Sequence, residues 1–457
     1  MAMNDKSSIQ SLCQAITARA RAGGADAVEV VYRESAHLSA KVRLGAPELL
    51  EEAGSRALGL RVFRGQRVAV AQSSDLSEAG QGRLVADALE LLTCAEEDPY
   101  AGAPPAEWLE TNPDPSALEL DDASLSTMDG ATCIAHAIEA ESGALKLDKR
   151  VDNSDGATFT RVRGLSALAT SQGFFGLSQG SQASVAVSPV ISDEGGKKRA
   201  GSHWDASRFF GDLAPMASVG AEAARRTLAK LGARRVPTQT APVIFDPEAA
   251  RSLLSLLASC VNGSSIWRKS SYLVDRIGTQ VASPLVTIVD DPFVRRGPGS
   301  RAWDGEGVPS VRNVVVEAGK LATYLTDSYA ARRLGHAKST ANASRGGASV
   351  GVGVTNFRLE PGQGTLDDLV AATPKGLLVT DMMGFGFNAV TGDFSRGASG
   401  FWIENGAIAY PVSEVTVSLN LDALLKSIDA VAGDLDTRSS LMSPSFRVPA
   451  MTIAGGE

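Results

Sequence analysis

The alternation of apolar and polar positions divides the chain into two textures. In residues 8–22 the apolar side chains Ile9, Leu12, Cys13, Ile16 and Ala20 recur every three or four positions. That spacing puts them on one face of an amphipathic helix, which Gly23-Gly24 ends. Residues 27–32 (AVEVVY) and 37–44 (HLSAKVRL) alternate with period two and predict two strands. Residues 58–71 predict two more, joined at Arg64-Gly65-Gln66, where glycine supplies the turn. Helices are expected over 76–94 and 124–141. Between them residues 98–116, rich in proline and polar side chains, read as a linker. Residues 150–190 alternate between glycine turns and predict an antiparallel meander, and residues 216–231 a further helix closed by Gly232.

Beyond residue 234 the texture changes. Short strand patterns at 242–245, 285–289, 311–317 and 413–419 are set among glycine-rich loops. The expected fold class is α+β: an N-terminal α/β domain over 1–110, with antiparallel strands and flanking helices, a strand-rich continuation over 111–235, and a C-terminal strand-rich domain over 236–457. A length of 457 residues suits this division at roughly 150 residues per domain. No internal repeat is visible.

Composition narrows the classes. A hydrophobic fraction of 44% and a charged fraction of 21% are those of a soluble globular chain. The net charge of −8 argues against a direct nucleic-acid binder, which clusters Lys and Arg to neutralise phosphates. Cys13, Cys94, Cys133 and Cys260 lie far apart in apolar helical patterns and are expected to be buried free thiols. No run of 18 apolar residues and no leader pattern occur, so a cytoplasmic protein that does not enter a membrane is expected.

Candidate chemistry is sparse. The four histidines, His37, His136, His203 and His336, stand alone, so helical zinc motifs of the H-E-x-x-H kind are absent. The G-x-S-x-G elbow of serine hydrolases is missing too. Residues 384–389 (GFGFNA) approach a dinucleotide fingerprint but lead into Val390-Thr391-Gly392, not a helix, so they read as tight turns. Residues 246–263 are more informative. Asp246 is a good helix N-cap, Pro247 suits the first helical position, and Glu248 favours the positive end of the dipole. Ala249, Ala250, Leu253, Leu254, Leu257, Cys260 and Val261 then form a buried stripe that Gly263 ends. Taken alone, this is a core helix.

That helix and several other segments carry a family resemblance. They include residues 59–67 (GLRVFRGQR), 97–102 (EDPYAG), 267–272 (WRKSSY), 324–331 (YLTDSYAA), 339–346 (STANASRG) and, most specifically, 392–402 (GDFSRGASGFW). Together they resemble the TldD/TldE family of metallopeptidase-like proteins, specifically its TldE (PmbA) branch. The family's TldD branch carries an H-E-x-x-x-H zinc motif on this helix and a further cysteine ligand near the C-terminus. In register with the paired leucines, these positions fall on Ser255, Leu256, Cys260 and, near the end, Ser443. The resemblance therefore implies that this chain binds no zinc and has no catalytic residues of its own.

It further implies a dimer or higher assembly with a zinc-bearing TldD-like subunit that acts on extended peptides. The glycine- and serine-rich segments around Asn342, Ser344 and Arg345, and around Asp393, Ser395 and Arg396, are expected partner or substrate edges. Two alternatives stay open: a regulatory protein-binding factor of the gyrase-modulator type, and a stand-alone hydrolase with an unrecognised nucleophile.

Overall fold

The computed structural model describes residues 5–456. Helix α1 (Lys6–Ala22) starts at Asp5, whose carboxylate accepts from the amides of Ser7 and Ser8. Strand β1 (Ala27–Arg43) runs without interruption through both of the strands expected between 27 and 44. Residues 33–36 hold no glycine or proline, so nothing breaks the extended backbone there. Its hairpin partner β2 (Ala46–Arg64) is slightly longer and leads to β3 (Arg67–Ser73) and α2 (Glu78–Cys94). Cys94 closes α2 and is exposed, unlike the other three cysteines, because the apolar stripe of that helix ends at Leu92.

The expected helix over 124–141 is shifted. A short 3-10 turn over 123–127 precedes α3 (Gly130–Leu145), which Asp129 caps. The meander is a single hairpin of β4 (Asn153–Thr170) and β5 (Phe175–Ser192), followed by β6 (Lys198–Ala200), β7 (His203–Ser207) and α4 (Met216–Leu228).

These strands form one antiparallel sheet in the order β3-β2-β1-β4-β5-β6, with β7 also on β5. Residues 1–110 and 111–235 thus share a sheet through the β1–β4 pairing. Its two faces differ, because successive strand side chains point to opposite sides. One face carries two apolar clusters. Val28, Val30 and Tyr32 of β1 pack with α1 and α2, while Leu38, Ala40 and Val42, further along the same face, pack with α3 and α4. The opposite face turns toward the second half of the chain.

That half begins with β8 (Gln239–Phe245), α5 (Pro247–Cys260) and α6 (Gly263–Trp267). Next come β9 (Ile288–Asp290), β10 (Asn313–Glu317), β11 (Lys320–Leu321), α7 (Ser328–Arg333), and the small hairpin of β12 (Ala343–Arg345) and β13 (Val350–Val352). Then follow β14 (Phe357–Leu359), α8 (Leu366–Ala371), β15 (Lys375–Met383), β16 (Asp393–Glu404) and β17 (Ala407–Asn420). The chain ends with α9 (Leu421–Ser427), β18 (Ala430–Val431), β19 (Leu441–Met442) and β20 (Phe446–Ala454).

The main sheet has the order β17-β16-β15-β8-β20-β18, and a β17–β20 pairing closes five of these strands into a ring. Strands β8 and β15 run parallel, and α5 leaves β8 to pack on β15 and β19. The interior holds Phe245, Leu253, Leu257, Phe357 and Trp402 among others. The expected linker is an ordered strap. The Asp98 carboxylate accepts from the Tyr329 hydroxyl at 2.7 Å, and the carbonyls of Tyr100 and Gly102 each accept from Arg332 at 2.7 Å. Apart from a short 3-10 turn over 106–108, proline keeps longer helix or strand out of this segment, and its carbonyls and polar side chains are tied to the second half.

Candidate functional site

The expected cap on α5 forms: the Ala249 amide donates to the Asp246 carboxylate at 2.8 Å. Ser255 donates its hydroxyl to the Ser252 carbonyl at 2.7 Å, within the helix. Leu256 is half-buried against the core, and Cys260 is fully buried. Burial pushes the Cys260 thiol up to about 11, away from the thiolate that a metal requires. Ser443 is buried just beyond β19, which packs on α5, and its hydroxyl donates to the Pro444 carbonyl at 2.9 Å. Three of the four positions thus lie on α5, and Ser443 directly follows a strand that packs on that helix. A catalytic zinc takes three protein ligands, and two serine hydroxyls, a leucine and a protonated thiol do not fit that demand. Among the described residues no group of three or more His, Cys, Asp or Glu side chains could hold a metal ion.

The six expected edge residues fall into two separate groups. Arg396, on β16, donates to the Gly384 carbonyl at 2.9 Å and reaches the Ser252 hydroxyl of α5 at 3.4 Å. Ser395 and Asp393 lie beside it and are exposed; the Asn420 amide holds the Asp393 carboxyl below its usual range. The glycine run opposite them is a turn. Gly384 has φ +84°, and a Cβ on Gly386 would sit 2.2 Å from the Ser395 carbonyl oxygen. Phe385 at its tip is fully exposed.

The other group lies against the N-terminal sheet. Ser344 is exposed on β12, whereas Asn342 is buried in the core and offers no edge. Its amide donates to Asp290 at 2.6 Å and to the Gly353 carbonyl at 3.0 Å, and its oxygen accepts from Thr340 at 2.8 Å. Arg345 is also used internally. It pairs with the buried Glu29 of β1 and donates to the Gly305 carbonyl.

Glu29 belongs to a buried ionic knot that the sequence pattern does not flag. Arg61 lies 3.4 Å from Glu29 and 3.3 Å from Glu306, and Glu306 accepts from the Ser328 amide and hydroxyl at 2.9 and 2.8 Å. Burial opposes the charge on Glu29, but Arg345 and then Arg61 outweigh it and hold the carboxyl below its ordinary value. Nearby, burial and the Glu306 charge push Asp304 up to about 7 and Asp327 up to about 6. A glutamate within the apolar run AVEVVY was the one available signal.

A second junction between the halves is open. Lys230, just beyond α4, meets Asp381 of β15 at 3.1 Å, between clefts of about 550 and 350 Å³. Arg226 of α4 and Arg438 both reach Glu248 on the first turn of α5, at 3.4 and 3.3 Å. Asp246 lines the smaller cleft; burial, with Glu248 and Asp381 adding, lifts its carboxyl to about 7. A carboxyl that titrates near neutrality can exchange a proton with a bound group. His203, half-buried nearby on β7, has a buried Nδ1 without a partner, and burial lowers its pKa.

Known proteins agree with this architecture. Family models of the PmbA/TldA metallopeptidase match in three parts: domain 1 over residues 28–92, the central domain over 123–231 and the C-terminal domain over 238–455. Metalloprotease PmbA of Escherichia coli O157:H7 is 36% identical over 434 residues, covering 95% of this chain and 93% of that protein. The crystal structure of a candidate modulator of DNA gyrase from Bacteroides thetaiotaomicron superposes with a TM-score of 0.92 at 27% identity, covering 99% of this chain and all of that one. TldE from Thermococcus kodakarensis shares the fold, with a TM-score of 0.87 at 20% identity over 97% of this chain and 100% of that one. With a relative this similar along nearly its whole length, and all three domain models in chain order, this chain belongs to the PmbA/TldD metallopeptidase family and is of its PmbA/TldE type.

Proposed function

We propose that this chain is the zinc-less, non-catalytic subunit of a TldD/TldE-type peptidase, completing a cytoplasmic complex in which a TldD-like partner holds the zinc and cleaves or matures extended peptides. The observation that carries this reading is the state of α5. The helix is well capped and packed, and in the register that the resemblance implies Ser255, Leu256 and Cys260 take the positions of two metal ligands and a general base. The hydroxyl of Ser255 is bonded within the helix and the thiol of Cys260 is buried and protonated, so neither is poised as a ligand.

Metal analysis of the purified chain, alone and mixed with a TldD-like protein, tests the proposal alongside cleavage of an unstructured peptide. The expected result is no stoichiometric zinc in the isolated chain and cleavage only in the mixture. Stoichiometric zinc, or cleavage by the chain alone, overturns it. A second reading, a protein-binding factor acting on DNA gyrase, is favoured by the likeness to the Bacteroides protein. A stable gyrase complex, with no cleavage in the presence of the partner, would establish it instead.

A further inference from the structure

The helix-free face of the N-terminal sheet forms the floor of a channel. Two adjacent rows of paired residues cross four strands there. The first is Ala57, Arg33, Ser166 and Ser178; the second is Ser55, Ser35, Gly164 and Gly180. Apart from Arg33, every side chain in these rows is small, so the floor lies open in the middle of a long sheet. Above it a cavity of about 630 Å³ shares Arg33, Ser166 and Ser178 with one of about 260 Å³. At its other end it shares Ser181, Gln182 and Arg208 with one of about 410 Å³. Through these shared residues the three cavities adjoin one another along this face of the sheet.

Arginines outnumber carboxylates among the side chains that line this path. The small cavity holds Arg301 and Arg345 against Asp304. The middle one holds Arg33 and Arg208 against Glu34. The third adds Arg295, Arg296 and Arg438 against Asp205 and Asp212. Seven arginines thus face four carboxylates in a chain of net charge −8. Burial, reinforced by Glu306, keeps Asp304 protonated for part of the time near neutrality.

Three of the arginines have no direct carboxylate ion pair among the described residues, although Asp304 and Asp290 favour the charge of Arg301 from a distance. Arg345, Arg295, Arg296 and Arg438 each have a carboxylate partner. Arg33, Arg208 and Arg301 donate to backbone carbonyls instead. Arg33 reaches the Arg345 carbonyl, Arg208 those of Gly297 and Pro298 at 2.9 and 2.8 Å, and Arg301 that of Ala343 at 2.8 Å. Among the described residues none of the three has a carboxylate ion pair, and Arg301 keeps a buried Nε without any partner. Burial lowers the pKa of both Arg208 and Arg301, so their charge is held at a cost that an anion would relieve. Fixed guanidiniums in a partly dry groove are suited to carboxylates, which they can bind through two parallel hydrogen bonds.

We infer that this channel binds an acidic, extended peptide segment, its carboxylates spaced along Arg301, Arg33 and Arg208 and its backbone passing over the serine and glycine floor. Single-stranded nucleic acid, the other anionic polymer of similar width, needs aromatic platforms for its bases. The lining offers only Trp303, and that ring is already packed edge-on against Phe174. The inference rests on the proposed role in peptide processing and specifies which peptides the chain recruits. Its test nevertheless uses the isolated chain. Loss of partner-dependent cleavage with acidic-peptide binding intact would remove the subunit role alone, and the converse result would remove this inference alone.

Fluorescence anisotropy with labelled octaglutamate, a Gly-Ser octapeptide and an eight-nucleotide oligothymidylate separates the possibilities. Octaglutamate is expected to bind about tenfold or more tightly than the neutral peptide at low salt, and to weaken as salt screens the arginines. Arg33→Glu, on an exposed side chain, is expected to weaken octaglutamate several-fold at an unchanged melting temperature. Should that variant fail to fold, Arg33→Gln and the floor-filling Ser178→Phe take its place, with the same loss expected. Equal affinity for the two peptides overturns the inference, as does tighter binding of oligothymidylate. Binding that no folded channel variant weakens overturns it as well.

Discussion

The two halves of the chain meet at two places that use the same chemistry in opposite settings. At one, Glu29, Arg61 and Glu306 are buried, and Arg345 closes the knot at the edge of a cavity. At the other, Lys230–Asp381 and Arg226–Glu248 line open clefts, with Asp381 42% exposed. A buried charge must be matched by a partner, because leaving it alone in a low-dielectric interior is costly, whereas an exposed pair is solvated whether or not it forms. The buried junction therefore fixes the register between the halves. The open one, with its clefts at the start of α5, has room for a ligand or for movement.

The largest test of this contrast is Glu306→Ala, which strands Arg61 beside Glu29 and frees the Ser328 donors. A loss of about 3–5 kcal/mol is expected in urea denaturation, and a loss below about 1 kcal/mol would erase the distinction between the junctions. Asp246→Asn probes how dry the open junction is. Burial raises the Asp246 carboxyl from 3.8 to about 7, so its contribution to stability is full below pH 4 and is lost as pH rises toward 7. Asparagine keeps the helix cap but does not titrate. Relative to the parent, the variant should gain stability between pH 4 and 7 by on the order of a few kcal/mol. A pH-independent difference would mean that water reaches the carboxyl. The smallest effect is expected for Lys230→Ala: about 0–1 kcal/mol, shrinking further in high salt. A salt-independent loss larger than that would show that the clefts are closed in solution.

Much of the local structure was legible in the sequence. The stripe and N-cap of α5, the turn at Gly65 and the end of α1 at Gly23 follow from residues within one or two turns of each other, whereas Gly263, expected to end α5, instead opens α6 after the C-cap Val261. The chain reads less well where distant segments decide. Period two in residues 27–44 announced strand but could not show that β1 runs unbroken, since only its pairing with β4 does that. Glu29 alternates as a solvent-facing residue would, and it is buried because the second half of the chain covers that face. Asn342 sits in a glycine- and serine-rich segment that resembles an edge, yet four groups elsewhere in the chain claim its amide and oxygen. The arginine path could not be seen at all, because its members are spread from residue 33 to residue 438.

The unbroken length of β1 has a consequence for how the protein can be divided. Fourteen of its residues, from Glu29 to Val42, have their partners in β4, which lies beyond residue 150. A fragment ending at residue 110 would keep the β1–β2 hairpin and α1, but would bare that entire strand edge. A long row of unsatisfied amides and carbonyls, with Leu38, Ala40 and Val42 uncovered beside it, is a template for self-association. Such a piece should be recovered as aggregates, and the shortest soluble N-terminal fragment should be one that extends through α4.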